Sequence, residues 1–145
     1  MKFNKISTTK IKHLIGERDL VWIGPMVSVA EASALMLKED IGALAVIEED
    51  RLIGIVSERD IVRRCVARDG FSPDTSWVRQ IMSAPPITID RNMSIGVAAM
   101  VMIENGIRHL PVMQREKVLG MVSIRRVVEE YRRGLETSIL GIAAE

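Results

Sequence analysis

Two short polar stretches of this 145-residue chain carry side chains that could do chemistry. The first is Gly54-Ile55-Val56-Ser57-Glu58-Arg59-Asp60, an apolar run that ends on a serine and sets a carboxylate three residues later. Asp60 falls in the first turn of the helix that follows, and two readings of it are open. An acidic residue there stabilises the helix dipole and caps free amides. A single carboxylate can equally accept from two vicinal hydroxyls, such as those of a ribose. The second stretch is Arg108-His109, a cation and an imidazole at a strand start. It reads either as a solvated strand end or as a place for an anion.

Other chemistry finds little support. The chain has no Gly-x-Ser-x-Gly elbow, no Walker phosphate loop and no His-Glu-x-x-His zinc helix. Its histidines are His13 and His109, in non-equivalent settings, and its carboxylates are scattered over helix faces and turns. Cys65 is the single cysteine, so an intrachain disulfide and a cysteine metal cluster are both excluded, and a buried thiol is expected. No enzyme and no bound metal are expected.

The elements that must position these residues recur. Gly120-Met121-Val122-Ser123-Ile124-Arg125-Arg126 repeats the first stretch 66 positions on, with Arg126 where the first copy has Asp60. Set without gaps, residues 27–62 and 93–128 share eleven identities in 36 positions, an internal repeat of order β-α-β-β-α. In each copy a strand (20–23, 87–89) leads to a serine-capped helix, opened by Ser28 or Ser94. Ala32, Leu35 and Met36, or Ala98, Val101 and Met102, are expected inward. Hairpin strands follow (43–47 with 52–56, and 110–114 with 118–122). A last helix closes each copy: 58–68 with Ile61, Val62, Cys65 and Val66 inward, and a long one from Ile124 towards Leu140.

The division expected is 1–70 for repeat 1 with its N-terminal segment, 71–77 for a linker, and 78–145 for repeat 2 with an extended helix. Each copy leaves one apolar sheet face, so the two are expected to pack through their sheets as one α+β fold. In such a pseudo-symmetric pair the strand start of one copy can face the helix start of the other. One composite pocket would then collect Asp60 and Ser57 for a polyol with Arg108 and His109 for an anion. Its mate would collect Ser123 and Arg126 with only Gly42 and Ala43. Arginine cannot accept hydroxyl protons, so that second site stays empty, takes a different anion, or uses Arg126 and Arg125 to reach a longer phosphate chain.

Composition sets bounds. Apolar residues make up 48% of the chain and aromatics 3%, so aliphatic side chains must fill the core and a base-stacking RNA platform is excluded. A net charge of +1 gives no pull towards nucleic acid or an anionic membrane. The N-terminus lacks the apolar core of a secretory signal, and no run is long enough to span a bilayer, so a cytoplasmic protein is expected.

GIVSERD, the segment IRHLPVMQREKVLGMVS and the duplication together resemble tandem CBS domains, the pair known as a Bateman module. The resemblance covers about residues 10–130 and implies a stand-alone sensor of an adenosine nucleotide: AMP, ADP, ATP or NAD(H). It implies that Asp60 and Ser57 hold the ribose, that Arg108 and His109 meet the phosphates, and that Ile55 and Ile87 flank the adenine. Trp22, in the wall of the second site with Ser123 and Arg126, stacks on a base or packs in the core, and the core is the preferred reading. The resemblance further implies a disc-like homodimer and an unidentified regulated partner protein. The alternatives are a scaffolding dimerisation module with vestigial sites and, ranked lower, an enzyme related to IMP dehydrogenase.

Overall fold

The structure, a computed structural model, describes residues 8–16 and 20–144; side chains at 137–138 and 141–144 lie outside the description. The polar N-terminal run 1–7 also lies outside it. The chain divides into two compact units, Asp19–Ile87 and Met1–Arg18 with Thr88–Glu145.

The unit Asp19–Ile87 holds β1 (Trp22–Ile23), α1 (Val29–Glu39), β2 (Ala43–Glu48), β3 (Arg51–Ser57), α2 (Glu58–Ile61) and α3 (Val78–Ile81). Its sheet has the order β1-β2-β3, parallel between β1 and β2 and antiparallel between β2 and β3. Ser28 starts α1 by accepting a hydrogen bond from the Glu31 amide at 3.1 Å, the bond expected of a serine cap. Glu49 and Asp50 both take positive φ, which gives the β2–β3 turn the twist a tight hairpin needs. Ala32 and Met36 of α1 close over Leu44, Val46 and Val56 to make the core.

The second unit repeats this plan with β4 (Ile89–Asp90), α4 (Ile95–Asn105), β5 (His109–Gln114), β6 (Lys117–Ser123) and α5 (Ile124–Ala144). The repeat reaches fine detail. Both hairpins shift register at matching places, between Val46 and Ile47 and between Val112 and Met113. The equivalent helices α1 and α4 end on a left-handed residue, Asp40 in one and Gly106 in the other. The α+β class and the duplicated β-α-β-β-α order are as expected from the sequence.

The compact units run across the bounds of the two sequence repeats. Val78 and Ile81 are fully buried in the core of the first unit, with the Val78 amide on the Val27 carbonyl at 2.9 Å. In the same way Ile11 and Leu14 are buried in the core of the second, where the Ile11 amide meets the Met93 carbonyl at 2.8 Å. Each unit thus completes itself with the segment that precedes the other repeat. The reason is apolar: a two-residue strand and one hairpin leave a sheet edge and a core gap, and these short amphipathic turns fill them. Residues 71–77 are a bonded loop as well as a connector, with the Ser72 amide on Ser76 Oγ at 3.0 Å and the Ala30 amide on the Pro73 carbonyl at 2.8 Å.

Three expectations are corrected. After α2 the chain widens into a π-turn over Val62–Val66, which keeps Cys65 buried but rotates Val62 and Val66 out to solvent. Trp22 stands on the two-residue edge strand and is 53% exposed, so it is no core residue. Ile87 precedes β4, which starts only at Ile89, and it too is exposed.

Candidate functional site

Ser57 ends β3 and caps α2, and Asp60 closes the cap from the other side. The Asp60 amide donates to Ser57 Oγ at 3.2 Å, while Asp60 Oδ2 accepts from the Ser57 amide at 2.9 Å and from the Ser57 hydroxyl at 3.0 Å. This is a reciprocal capping box with aspartate in place of the usual glutamate. It holds a carboxylate side chain that is only 11% exposed.

The other carboxylate oxygen is engaged as well. Oδ1 accepts from the Ser83 hydroxyl at 3.1 Å, and Arg64 Nε lies 3.6 Å from it, one helical turn on. The Arg64 guanidinium also donates to the Met82 carbonyl at 3.1 Å, so it ties Asp60 to the segment after α3. Ser83 reaches Asp60 because its backbone pairs with Ile55 in both directions, at 3.0 and 2.8 Å. Gly54 admits that pairing: a Cβ there would lie 2.8 Å from Met82 Sδ and 2.9 Å from the Ser83 carbonyl oxygen. The glycine of the GIVSERD stretch is therefore a close-approach residue, and it places Ser83 on the carboxylate.

The expected site residues fall into two groups. Ser57, Asp60, Ile55 and Ile87 belong to Asp19–Ile87, where Ser57 and Asp60 are in contact and Ile55 is buried on the same strand. Trp22 belongs there too, whereas Ser123, Arg126, Arg108 and His109 belong to the other unit. Sequence reading missed Ser83 and Arg64. Arg64 was findable as the i+4 cationic partner of Asp60. Ser83 was not, since only a tertiary approach brings it there.

In the second unit His109 opens β5 opposite Ser123, and the Arg108 carbonyl accepts from the Ile124 amide at 2.8 Å. Burial, and then the neighbouring Arg108 guanidinium, hold the His109 imidazole below the ordinary histidine value of 6.5. At neutral pH it is a neutral donor and acceptor beside an exposed cation. Ser123 caps α5 by accepting from the Arg126 amide at 3.2 Å, as Ser57 does from Asp60. With arginine at that position the cap is one-sided. The Arg126 guanidinium turns to Glu130 at 3.6 Å.

Among the described residues no cluster of three or more His, Cys, Asp or Glu side chains is placed to hold a metal ion, and no helix is long and apolar enough to cross a membrane. Cys65 is a free thiol inside the first core.

Two α+β units with matching strand order, matching bulges and a serine cap after each antiparallel pair define a tandem-repeat module. The model of the CBS domain matches residues 11–67 and again 78–133, and the chain belongs to the CBS-domain family. A solved protein with CBS domains from Burkholderia ambifaria MC40-6 superposes with a TM-score of 0.79 at 29% identity, covering 83% of this chain and 92% of that one. The hexameric CBS-CP12 protein from bloom-forming cyanobacteria gives 0.76 at 27% identity, over 84% and 71% of the two chains. The protein MK0525 of Methanopyrus kandleri is 32% identical over 117 residues, 79% of this chain. That match spans 59% of the length of the Methanopyrus protein.

Proposed function

We infer that the protein is a regulatory module that binds an adenosine nucleotide (AMP, ADP, ATP or NAD(H)) and reports its occupancy to a partner protein, without turning the ligand over. Asp60 and Ser57 take the ribose hydroxyls, Arg108 and His109 take phosphate oxygens, and Ile55 and Ile87 offer apolar surface to the adenine. The observation that carries this reading is the buried Asp60 carboxylate, held at a helix start by a backbone amide and two hydroxyls. The cap fixes where the carboxylate stands, and an arginine–phosphate contact adds orientation as well as energy. The module works as a homodimer, with small molecules rather than nucleic acid or membrane as its ligands. Membership of the CBS family and the hexameric cyanobacterial relative support assembly from several copies. A cytoplasmic setting fits a nucleotide ligand.

One observation favours a second reading. The closed capping box is also what a purely structural aspartate would show, and a scaffolding module with vestigial sites would need nothing more.

Thermal unfolding of the purified protein with AMP, ADP, ATP, NAD and NADH, repeated on Asp60→Asn and Arg108→Gln, separates the two. A ligand at about a hundredfold over its dissociation constant stabilises the fold by roughly 2.7 kcal/mol. A shift with adenine nucleotides that shrinks in both variants supports the sensor. An unchanged transition with every nucleotide, in protein freed of co-purified ligand, leaves the scaffold. Release of any product by the wild type would make it an enzyme instead.

A further inference from the structure

Three hydrogen bonds and an ion pair already engage the Asp60 carboxylate. A carboxylate offers about four lone-pair sites. Oδ2 receives the Ser57 amide and hydroxyl, and Oδ1 receives the Ser83 hydroxyl and faces Arg64. A ribose that donates two hydroxyls to this carboxylate must therefore displace at least one donor already present.

The three donors and the Arg64 cation differ in how readily they leave. The Ser57 amide is backbone, fixed where β3 becomes α2. The Ser57 hydroxyl is also the acceptor for the Asp60 amide, so its place is set by the cap. Arg64 is anchored on the Met82 carbonyl. The Ser83 hydroxyl has one described hydrogen bond, to Asp60, and a single rotation about its side chain releases it. Its backbone stays, because the two-way pairing with Ile55 past Gly54 does not depend on the side chain.

We propose that Ser83 is the placeholder of the diol site: its hydroxyl holds the Oδ1 position that a ribose hydroxyl takes on binding. Ser83 thereby sets the affinity of the site for vicinal diols. It keeps a buried carboxylate satisfied, and every vicinal diol that binds there has to break that bond. The inference rests on the reading of Asp60 as the ribose acceptor.

Calorimetric titration with AMP and ATP, each beside its 2′,3′-dideoxy counterpart, tests it on wild type, Ser83→Ala, Ser83→Thr and Asp60→Asn. Ser83→Ala should bind the ribonucleotide about threefold to tenfold more tightly, the worth of one net hydrogen bond, with dideoxy affinity unchanged. Ser83→Thr, which keeps a hydroxyl, should return to the wild-type affinity. If Ser83→Ala does not fold, Ser83→Cys, close in size and a weaker donor, should shift in the same direction. Unchanged or weaker ribonucleotide binding by the variant, or an equal gain for the dideoxy ligand, overturns the placeholder while leaving Asp60 as acceptor. If wild type binds neither nucleotide, does not prefer ribo over dideoxy, or keeps that preference as Asp60→Asn, the diol reading itself falls and the placeholder with it.

Discussion

Gly120 on β6 faces Ile15 so closely that a Cβ at position 120 would lie 2.5 Å from Ile15 Cγ2. Gly54 stands in the same relation to Met82 and Ser83 in the other unit. These are the two copies of one motif glycine, and each marks where a borrowed segment crosses the last strand of a sheet. At Gly120 the obstacle is a side chain; at Gly54 it includes a backbone carbonyl, which cannot turn aside.

Gly54→Ala should therefore cost more than Gly120→Ala, about 3 kcal/mol against about 1–2 kcal/mol, the range for overpacked interiors. Urea unfolding reads both. Ile15→Ala should recover part of the Gly120→Ala loss in a double-mutant cycle, because it removes the clashing methyl. Additive losses would show that the two residues do not meet as described.

Asp60→Ala should lower stability by about 1–3 kcal/mol even without ligand, since the Ser57 amide and the Ser83 hydroxyl lose their acceptor. Ser57→Ala should cost less, and the two should be non-additive because they form one box. Equal stability of Asp60→Ala and wild type in denaturant would contradict the hydrogen bonding described.

The depressed His109 pKa makes stability depend on pH with a definite sign. Near and below its ordinary value the unfolded chain binds a proton that the folded protein resists. The contribution is therefore present in full above pH 6.5 and is lost as the pH falls through the lower folded value. Unfolding free energies measured between pH 7.5 and 5 should fall towards acid, and His109→Gln should flatten that slope. A bound phosphate beside Arg108 and His109 would favour the imidazolium, so occupancy should flatten it too.

Asp40 ends α1 with φ 54°, where Gly106 ends α4 with φ 62°. Aspartate tolerates the left-handed region and glycine occupies it freely. Asp40→Gly should raise the thermal midpoint, by about 0.5–1 kcal/mol in stability, and Gly106→Ala should lower it by about 1 kcal/mol. A fall in the midpoint of Asp40→Gly would mean that the aspartate side chain has a role of its own there.

Much of this protein was legible before folding, and for a common reason. The 66-residue repeat, the caps at Ser28, Ser57 and Ser94, and the inward faces of α1 and α4 depend on contacts a few residues apart, so their period survives in the sequence. Asp60 was legible as a helix-start carboxylate on the same terms.

What the tertiary structure alone decided involves partners far apart in the chain. Val78 and Ile81 complete the first core, and Ile11 and Leu14 the second, because a core gap is filled by whatever apolar segment reaches it. Val62 and Val66 carry the same apolar signal as Cys65, yet a π-turn sends them outward, and period counting assumes an unbroken helix. Ser83 becomes the fourth member of the Asp60 cluster, 23 residues away, only because the missing side chain of Gly54 lets two backbones touch. Periodicity records which side of its own element a residue takes, whereas the approach of two distant segments is settled by shape and close packing.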